Sequence, residues 1–333
     1  MNTQAKKTWR LGDDGVRVGA FFVILGIFAL INPTVLSLVN LFAIVNNACF
    51  IGVMTMGLMI VMITGNLDLS LASIGLTSAF STIMLYQAWG WEEGGMYLMF
   101  VIAGAAGAVC GLINGFFVYK LGIPGIIVSL GMGQVYNTLL LILTGVTYIP
   151  VLPEGMRRLN RTFILQVETA LGTAGICFAV LIFAAAVLLV WFVLNKTMVG
   201  RGIYALGGDK VAAARVGFNI PLLYGTAYGI MGMLAGMAGM MFYANNTLFQ
   251  SDWILVEQGN ATAAAIFGGV IMKNGKGTVG GVVVGILLIG LIQNNLYLIG
   301  IPSYAQKVVV GFIILTSVAM ASFNQLREWG KSR

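Results

Sequence analysis

Apolar runs of about twenty residues recur along nearly the whole chain, separated by short stretches that carry glycine, proline or charge. A helical run of that length matches the roughly 30 Å of hydrocarbon in a bilayer, whereas a barrel strand needs only about ten residues. Charged residues make up 9% of the 333 residues, against about a quarter in soluble domains. Because backbone in lipid must be hydrogen-bonded internally, the sequence predicts an all-α polytopic membrane helical bundle.

The bounds of these runs predict about ten transmembrane helices within a single domain, residues 1–333. The predicted spans are 16–37, 41–64, 71–88, 96–119, 123–143, 169–194, 222–245, 259–273, 279–299 and 303–323. The side that holds both termini and the loop 195–221 carries 14 Lys/Arg and 5 Asp/Glu, and the other side carries 4 and 6. Cations collect in cytoplasmic loops, so both termini are expected in the cytoplasm and no nucleic-acid partner is needed to explain the basic composition.

Glycines recur at four-residue spacing inside several predicted helices. Gly107, Gly111 and Gly115 share one face of span four, and Gly232 and Gly236 do so in span seven. Small residues let helix backbones approach closely in a bilayer, where the hydrophobic effect cannot drive helix packing. These glycines predict a tightly packed bundle rather than a ligand site.

A short similarity links two parts of the chain. The dipeptide Gly-Asn opens the third predicted span at residues 65–66 and the eighth at residues 259–260, on opposite sides of the membrane. Many transporters are inverted repeats with interrupted helices at matching places. Residues 41–143 and 222–323 are therefore a possible inverted repeat, although a match of two residues also arises by chance.

Asp68 lies between two long apolar runs and has no cation near it in sequence. An ionisable residue at membrane depth is a candidate for a transport path. The alternative is structural, since Asp68 or Ser70 could cap the third span, where the positive end of a helix favours a carboxylate. Both roles stay open, and they can coexist.

The loop 195–221 has the features of a short helix outside the membrane. In order, it offers a turn at Gly207 and Gly208, an N-cap at Asp209, a helix with basic ends that contains Lys210, Ala213 and Arg215, and a stop at Gly217. A helix this short is marginal in water on its own. We therefore expect the bundle, lipid headgroups or a partner protein to hold it.

These segments resemble the permeases of carbohydrate-type bacterial ABC importers, the branch that serves ribose, xylose, galactose and autoinducer-2. Residues 65–72 read GNLDLSLA where the family reads GGIDLSVG. Residues 200–217 follow the family pattern GRxxYAxGGNxxAAxxxG almost throughout, with Asp209 in place of asparagine. A glycine-rich stretch at 268–281 is also similar, and the resemblance covers essentially the whole chain.

The resemblance implies a multi-pass permease of the bacterial inner membrane, within an ATP-driven importer for a sugar or sugar-like solute. Residues 207–217 would be the coupling helix, seated on a separate ABC ATPase that uses ATP and Mg. This chain has no P-loop, so we expect it to bind no cofactor or metal and to be no enzyme. Further expected partners are a second permease, identical or not, and a periplasmic solute-binding protein. Arg157, Arg158 and Arg161 could dock the binding protein, or could lie in a merely solvated loop.

Amide side chains inside the spans are candidate contacts for a polyhydroxy solute, although they can equally bond helix to helix. The path residues favoured are Asn46, Asn47, Asp68, Gln134, Asn137 and Asn260. Where the family carries two acids, this chain has Gln258 and Asn260, which leaves the solute open. The alternative functions are an autoinducer-2 or nucleoside permease of the same family and a stand-alone secondary carrier.

Overall fold

The computed structural model describes residues 13–91, 95–145, 162–170, 172–245 and 251–302, together with residues 156, 305, 308, 311 and 312. Its helices are α1 (Asp13–Ile31), α2 (Leu38–Ile63), α3 (Leu71–Ala88), α4 (Met96–Leu121), α5 (Gly125–Thr144), α6 (Ala179–Lys196), α7 (Met198–Gly208), α8 (Lys210–Arg215), α9 (Ile220–Asn245), α10 (Ser251–Phe267) and α11 (Val279–Leu298). Single 3-10 turns occupy Pro33–Leu36 and Met272–Asn274, and strands β1 (Phe163–Thr169) and β2 (Gly172–Cys177) precede α6.

Local capping residues set where several helices begin and end. Ser37, Thr197 and Thr278 precede α2, α7 and α11, and each side-chain oxygen accepts a hydrogen bond, at 3.1–3.3 Å, from the backbone N–H three residues later. These bonds satisfy donors that the first helical turn leaves free. Gly122 and Gly145 end α4 and α5 in the left-handed conformation that glycine adopts without a steric cost.

Six of the described helices are long and apolar enough to cross a membrane: α2, α4, α5, α6, α9 and α11. They confirm a polytopic helical membrane protein. The count of about ten spans and the cytoplasmic placement of both termini stay predictions, and most of the tenth span (303–323) lies outside the described residues. The first span (16–37) is divided, because Pro33 starts a separate 3-10 turn after α1 ends at Ile31.

Helix α2 forms the centre of the bundle. Every residue from Ala48 to Thr64 is buried, and the helix packs against α6, α9, α10, α11 and β2. A helix that is apolar on all sides belongs in such a position. Beside it, α4 and α9 approach so closely that a Cβ added at Gly107 or Gly111 would overlap a backbone carbonyl of α9. The tight glycine packing predicted from the sequence is confirmed.

The sixth predicted span (169–194) was wrong at its start. Residues 163–177 form an antiparallel hairpin in which Val167 lies opposite Ala174, and α6 begins only at Ala179. Gly172 has φ +120°, a conformation that favours glycine, and it lies at the turn between the strands. Apolar and polar residues alternate from Leu165 to Glu168 in β1, and this two-residue period favours a strand over a helix. Within the described residues, the helical bundle therefore carries one additional hairpin.

The prediction that residues 259–262 open the eighth span was also wrong. Helix α10 begins at Ser251, so Gly259 and Asn260 lie within it, because no helix-breaking residue separates them from the preceding apolar stretch. Gly65 instead lies in a non-helical connection, at φ +87°. The two Gly-Asn pairs thus occupy different structures, and the possible repeat of 41–143 with 222–323 loses its sequence support.

Candidate functional site

The predicted short helix after Asp209 is present as α8. The Asp209 carboxylate accepts hydrogen bonds from the backbone N–H groups of Val211, at 2.8 Å, and Ala212, at 3.0 Å. Gly217, at φ +95°, follows the end of the helix. Lys210 Nζ lies 5.4 Å from the centre of the Tyr224 ring, a cation–π distance that ties α8 to α9.

Gly207 and Gly208 do not form the turn predicted for them. Both lie in the last turn of α7, and the chain changes direction at Asp209, whose backbone is extended. A Cβ on Gly207 would overlap the carbonyl oxygen of Ile63, the last residue of α2, whereas Gly208 has open space beside it. Gly207 is therefore needed for close approach of α7 to α2, not for a turn.

The segment α7–α8 is seated on the end of α2 and on the glycine-rich turn between α10 and α11. Tyr204 Oη donates a hydrogen bond to the Gly277 carbonyl at 2.8 Å. Arg17 of α1 packs against Gly269 in the same turn. The end of α2 at Ile63, helices α7 and α8 and the turn between α10 and α11 thus lie at one end of the bundle, here called the coupling end. The charge pattern of these connections predicts a cytoplasmic location.

Helix α8 and the residue that caps its C-terminus expose apolar side chains next to two cations. Val211 is 58% exposed and Val216 is 79% exposed, while Ala213 faces the bundle and is buried. Lys210 and Arg215 at the two ends of α8 are exposed as well. Exposed apolar groups rimmed by charge are typical of a surface that a protein partner covers.

Asp68 is fully buried in the connection between α2 and α3. Its Oδ1 accepts hydrogen bonds from the backbone N–H and the hydroxyl of Ser70, at 2.7 and 2.6 Å. Its Oδ2 accepts one from Asn114 Nδ2 of α4 at 3.1 Å. Three donors therefore compensate for the burial of this carboxylate.

Of the two predicted caps of α3, Asp68 is confirmed, because its carboxylate accepts hydrogen bonds from the backbone N–H groups of Ser70 and Leu71. The Ser70 side chain makes no capping hydrogen bond, and a second cap comes from another helix. Gln258 Oε1 of α10 accepts from Ala72 N–H at 3.2 Å, and Gln258 Nε2 donates to the Leu69 carbonyl at 2.8 Å. Ser129 Oγ of α5 accepts from Leu69 N–H at 2.8 Å. An amide both donates and accepts here, whereas the ionised acid of the family pattern could only accept.

Asn46 and Asn47 of α2 each join two elements. Asn46 Nδ2 donates to the Gly175 carbonyl at 2.8 Å and its Oδ1 accepts from Cys177 N–H at 3.0 Å, so it holds strand β2. Asn47 Nδ2 donates to Asn294 Oδ1 of α11 at 2.9 Å. These are the helix-bonding roles left open by the sequence, and contact with a solute stays a prediction.

The remaining path candidates lie on α5 and α10. Gln134 is exposed on the outer face of α5, while the Oδ1 atom of Asn137 is buried without a hydrogen-bond partner. The hydroxyl of Thr77 on α3, the helix against which α5 packs, is buried and unpartnered in the same way. Asn260 is buried and donates to Glu257 Oε2 at 2.6 Å.

Sequence reasoning overlooked Ser129 and Thr77 as polar groups of this region, and it noted Gln258 only as a departure from the family pattern. The signal of Ser129 was weak, since it is a single polar residue within an apolar run, and Thr77 has only Ser78 as an adjacent polar neighbour within its run. The proposed docking residues Arg157, Arg158 and Arg161 lie outside the described residues. Within the part of the chain that the structure describes, no group of three His, Cys, Asp or Glu side chains could hold a metal ion.

Residues 40–318 match the family described as branched-chain amino acid transport system / permease component. The chain is 30% identical to the ribose import permease protein RbsC of Escherichia coli K12, over 92% of both chains. It is 31% identical to the galactose/methyl galactoside import permease protein MglC of the same strain, over 93% of this chain and 95% of the relative. It is 28% identical to the autoinducer 2 import system permease protein LsrC of Yersinia pestis strain Pestoides F, over 91% and 82%.

No solved structure matches the chain. The family match covers most of the sequence, and the relatives are covered over most of their own lengths. The apolar helices α2, α4, α5, α6, α9 and α11 have the length that a bilayer requires. The chain belongs to the branched-chain amino acid transport system / permease component family and is a multi-pass protein of the bacterial inner membrane.

Proposed function

We propose that this chain is the permease subunit of an ATP-driven ABC importer, with about ten spans and both termini in the cytoplasm. In this assembly it works with a second permease subunit, an ABC ATPase and a periplasmic solute-binding protein. The ATPase binds ATP and Mg and supplies the hydrolysis, while this chain catalyses no reaction. The similarity to ribose and galactose import permeases supports a sugar or sugar-like solute.

The observation that carries the proposal is the outer surface of α8. A capped helix that exposes Val211 beside Lys210 and, at its C-cap, Val216 beside Arg215 is suited to an apolar groove with an acidic rim. Gly207 of the adjoining helix α7 lies against the end of α2, and α7 in turn contacts α8. A push on α8 would therefore reach the central helix of the bundle, which is what an ATPase must do to change access to the path.

The solute path is proposed to run along α5. Asn137 and Thr77 keep buried oxygen atoms without partners, and buried polar atoms are rarely left unpaired unless water or a ligand satisfies them. Hydroxyl groups of a polyhydroxy solute are suitable donors to both oxygens. Autoinducer-2, the solute in the name of the LsrC relative, is the second candidate because it reaches similar identity and coverage.

The test is co-purification with a co-expressed ABC ATPase taken from the organism that encodes this chain. Wild type is compared with Val211→Asp/Val216→Asp, which charges the exposed surface without touching the buried Ala213 side. Val211→Ile/Val216→Ile keeps that surface apolar and is the matched control. We expect the ATPase to stay with wild type and the isoleucine pair and to be lost from the aspartate pair. Transport by the chain alone in liposomes, with no ATPase bound, would overturn the proposal in favour of a secondary carrier.

A further inference from the structure

We propose, on the basis of the function above, that Asp68, Asn114 and Tyr136 form a relay that positions α5 relative to the coupling end. The relay is the chain of hydrogen bonds Asp68–Asn114–Tyr136. Its members are positioning residues for transport, since they act through α5 and are not proposed to touch the solute.

The first link anchors the relay in the connection between α2 and α3. Asp68 and Asn114 are both fully buried, and Asn114 Nδ2 donates to Asp68 Oδ2 at 3.1 Å. The same nitrogen donates to Ser70 Oγ at 2.7 Å. Hydrogen bonds to a carboxylate in a low-dielectric interior are strong and directional, so this link fixes α4 to the connection.

The second link reaches α5. Tyr136 Oη lies 2.9 Å from Asn114 Oδ1 and 2.9 Å from the Cys110 carbonyl, and it donates to these acceptors of α4. Both ends of the Asn114 amide are therefore occupied, one by the carboxylate and one by the tyrosine. Tyr136 stands next to Asn137 and two residues after Gln134, so its hydroxyl fixes the part of α5 proposed to line the path.

The relay also has a continuous connection to α8, which runs through α7. The carbonyl of Ile63 contacts Gly207, and the chain runs from Ile63 to Asp68 in five residues. Among the described elements, the substantial contacts of α5 are with α3 and α4. Movement of α8 would thus reach α5 through the buried connection and its bonded partners. A physical link of this kind shows a route, and its coupling has to be measured.

The measurement is solute transported per ATP hydrolysed, with the whole importer in nanodiscs or liposomes and its binding protein present. Tyr136→Phe removes only the hydroxyl. We expect it to assemble with the ATPase as wild type does, but to lower the ratio at least about fivefold, the lower end of typical allosteric coupling. Tyr86→Phe is the matched control, since Tyr86 is also buried and its hydroxyl donates to the Gly95 carbonyl, at 3.1 Å, outside the relay. We expect it to keep the wild-type ratio.

A side-chain exchange provides a second, independent test. Asp68→Asn or Asn114→Asp alone places two amides or two carboxylates face to face, whereas the double variant restores a carboxylate–amide pair in reverse order. We expect the ratio to fall in each single variant and to recover in the double variant. If Tyr136→Phe fails to fold, this exchange still tests whether the relay affects the ratio of transport to ATP hydrolysis.

Two results would overturn the relay. One is an assembled Tyr136→Phe importer with the wild-type ratio of transport to ATP hydrolysis. The other is a pair of assembled single variants, Asp68→Asn and Asn114→Asp, that lose thermal stability but keep the wild-type ratio, because a merely structural pair would affect stability alone. If no ATPase associates even with the wild-type chain, the proposed function itself fails, and that result is distinguishable from either.

Discussion

Helices α2 and α5 are similar in composition and opposite in surroundings. Both are apolar enough to cross a membrane, but α2 is buried on every side from Ala48 onward, whereas α5 is buried along one stripe only. That stripe contains Ser129, Gly133 and Tyr136, while the outer face exposes leucine, isoleucine and valine. In lipid, an apolar outer face needs no cover, so polar residues can be kept for contacts within the protein.

The difference separates two tasks within one bundle. Helix α2 has no free face from Ala48 onward, and it meets Gly207 at the coupling end and strand β2 towards the other end. Helix α5 is held by few neighbours and by specific hydrogen bonds, so it has more freedom to move. The predictions below test whether changes around α2 cost stability while changes on α5 chiefly cost transport.

The largest effect is expected where α4 and α9 pack beside α2. A Cβ on Gly111 would overlap the carbonyl of Tyr228, so Gly111→Ala should force the helices apart and cost about 3 kcal/mol. Gly131→Ala on α5 meets no atom within 4 Å and should leave stability unchanged or slightly raised. Thermal unfolding in detergent compares the two variants. Equal melting temperatures would mean that the α4–α9 contact is no more sensitive to an added methyl group than the open surface of α5.

The second effect is expected at the coupling end of α2. Gly207→Ala introduces a methyl group against the Ile63 carbonyl and should cost about 2 kcal/mol while weakening association with the ATPase. Gly208→Ala, one residue later, has free space and serves as its control. The assay is retention of the ATPase after purification together with the melting temperature. Normal retention by both variants would mean that α7 is not seated on α2 through Gly207.

The sequence was most informative where one physical signal dominated. Long apolar runs predicted α2, α4, α5, α9 and α11, and Asp209 followed by helix-forming residues predicted α8. The hairpin was missed because its strands are nearly as apolar as a transmembrane span. In so short an apolar segment, the period of the hydrophobic pattern distinguishes a strand from a helix poorly.

The contacts that build the site could not be read from the sequence. Asn114 meets Asp68 across 46 residues, and Gln258 meets Leu69 across 189. Such partners depend on tertiary packing, for which a single sequence carries no local pattern. The amides were recognised as candidates, but the choice between bonding a helix and lining a path needed their neighbours.

A third, smaller effect is expected at the hairpin end of α2. Asn46→Ala leaves the Gly175 carbonyl and the Cys177 N–H without their partner, which should cost about 1 kcal/mol and loosen β2 locally. Asn47→Ala removes the neighbouring amide, which bonds α11 instead, and should leave the hairpin intact. Hydrogen exchange of residues 163–177 is the measurement. Faster exchange in both variants, or in neither, would contradict a specific role for Asn46.

The smallest change in stability is expected on α5, where the substitution should leave stability unchanged or raise it rather than lower it. Asn137 Oδ1 is buried without a partner, so Asn137→Leu removes an unsatisfied polar atom and should leave the protein as stable as before or stabilise it by up to about 1 kcal/mol. Transport should nevertheless fall, because the oxygen proposed for the solute is gone. Gln134→Leu, on the exposed face of the same helix, should leave stability within about 0.5 kcal/mol of wild type.

Melting temperature and solute uptake by the assembled importer measure the two properties separately. Asn137→Leu with wild-type uptake would place the path away from this side of α5. A destabilised Asn137→Leu would instead mean that the amide has a structural partner, as Asn46 does. Stability gained together with uptake lost is the outcome that the contrast between α2 and α5 requires, since a polar atom left unpaired costs stability and is retained where it serves function.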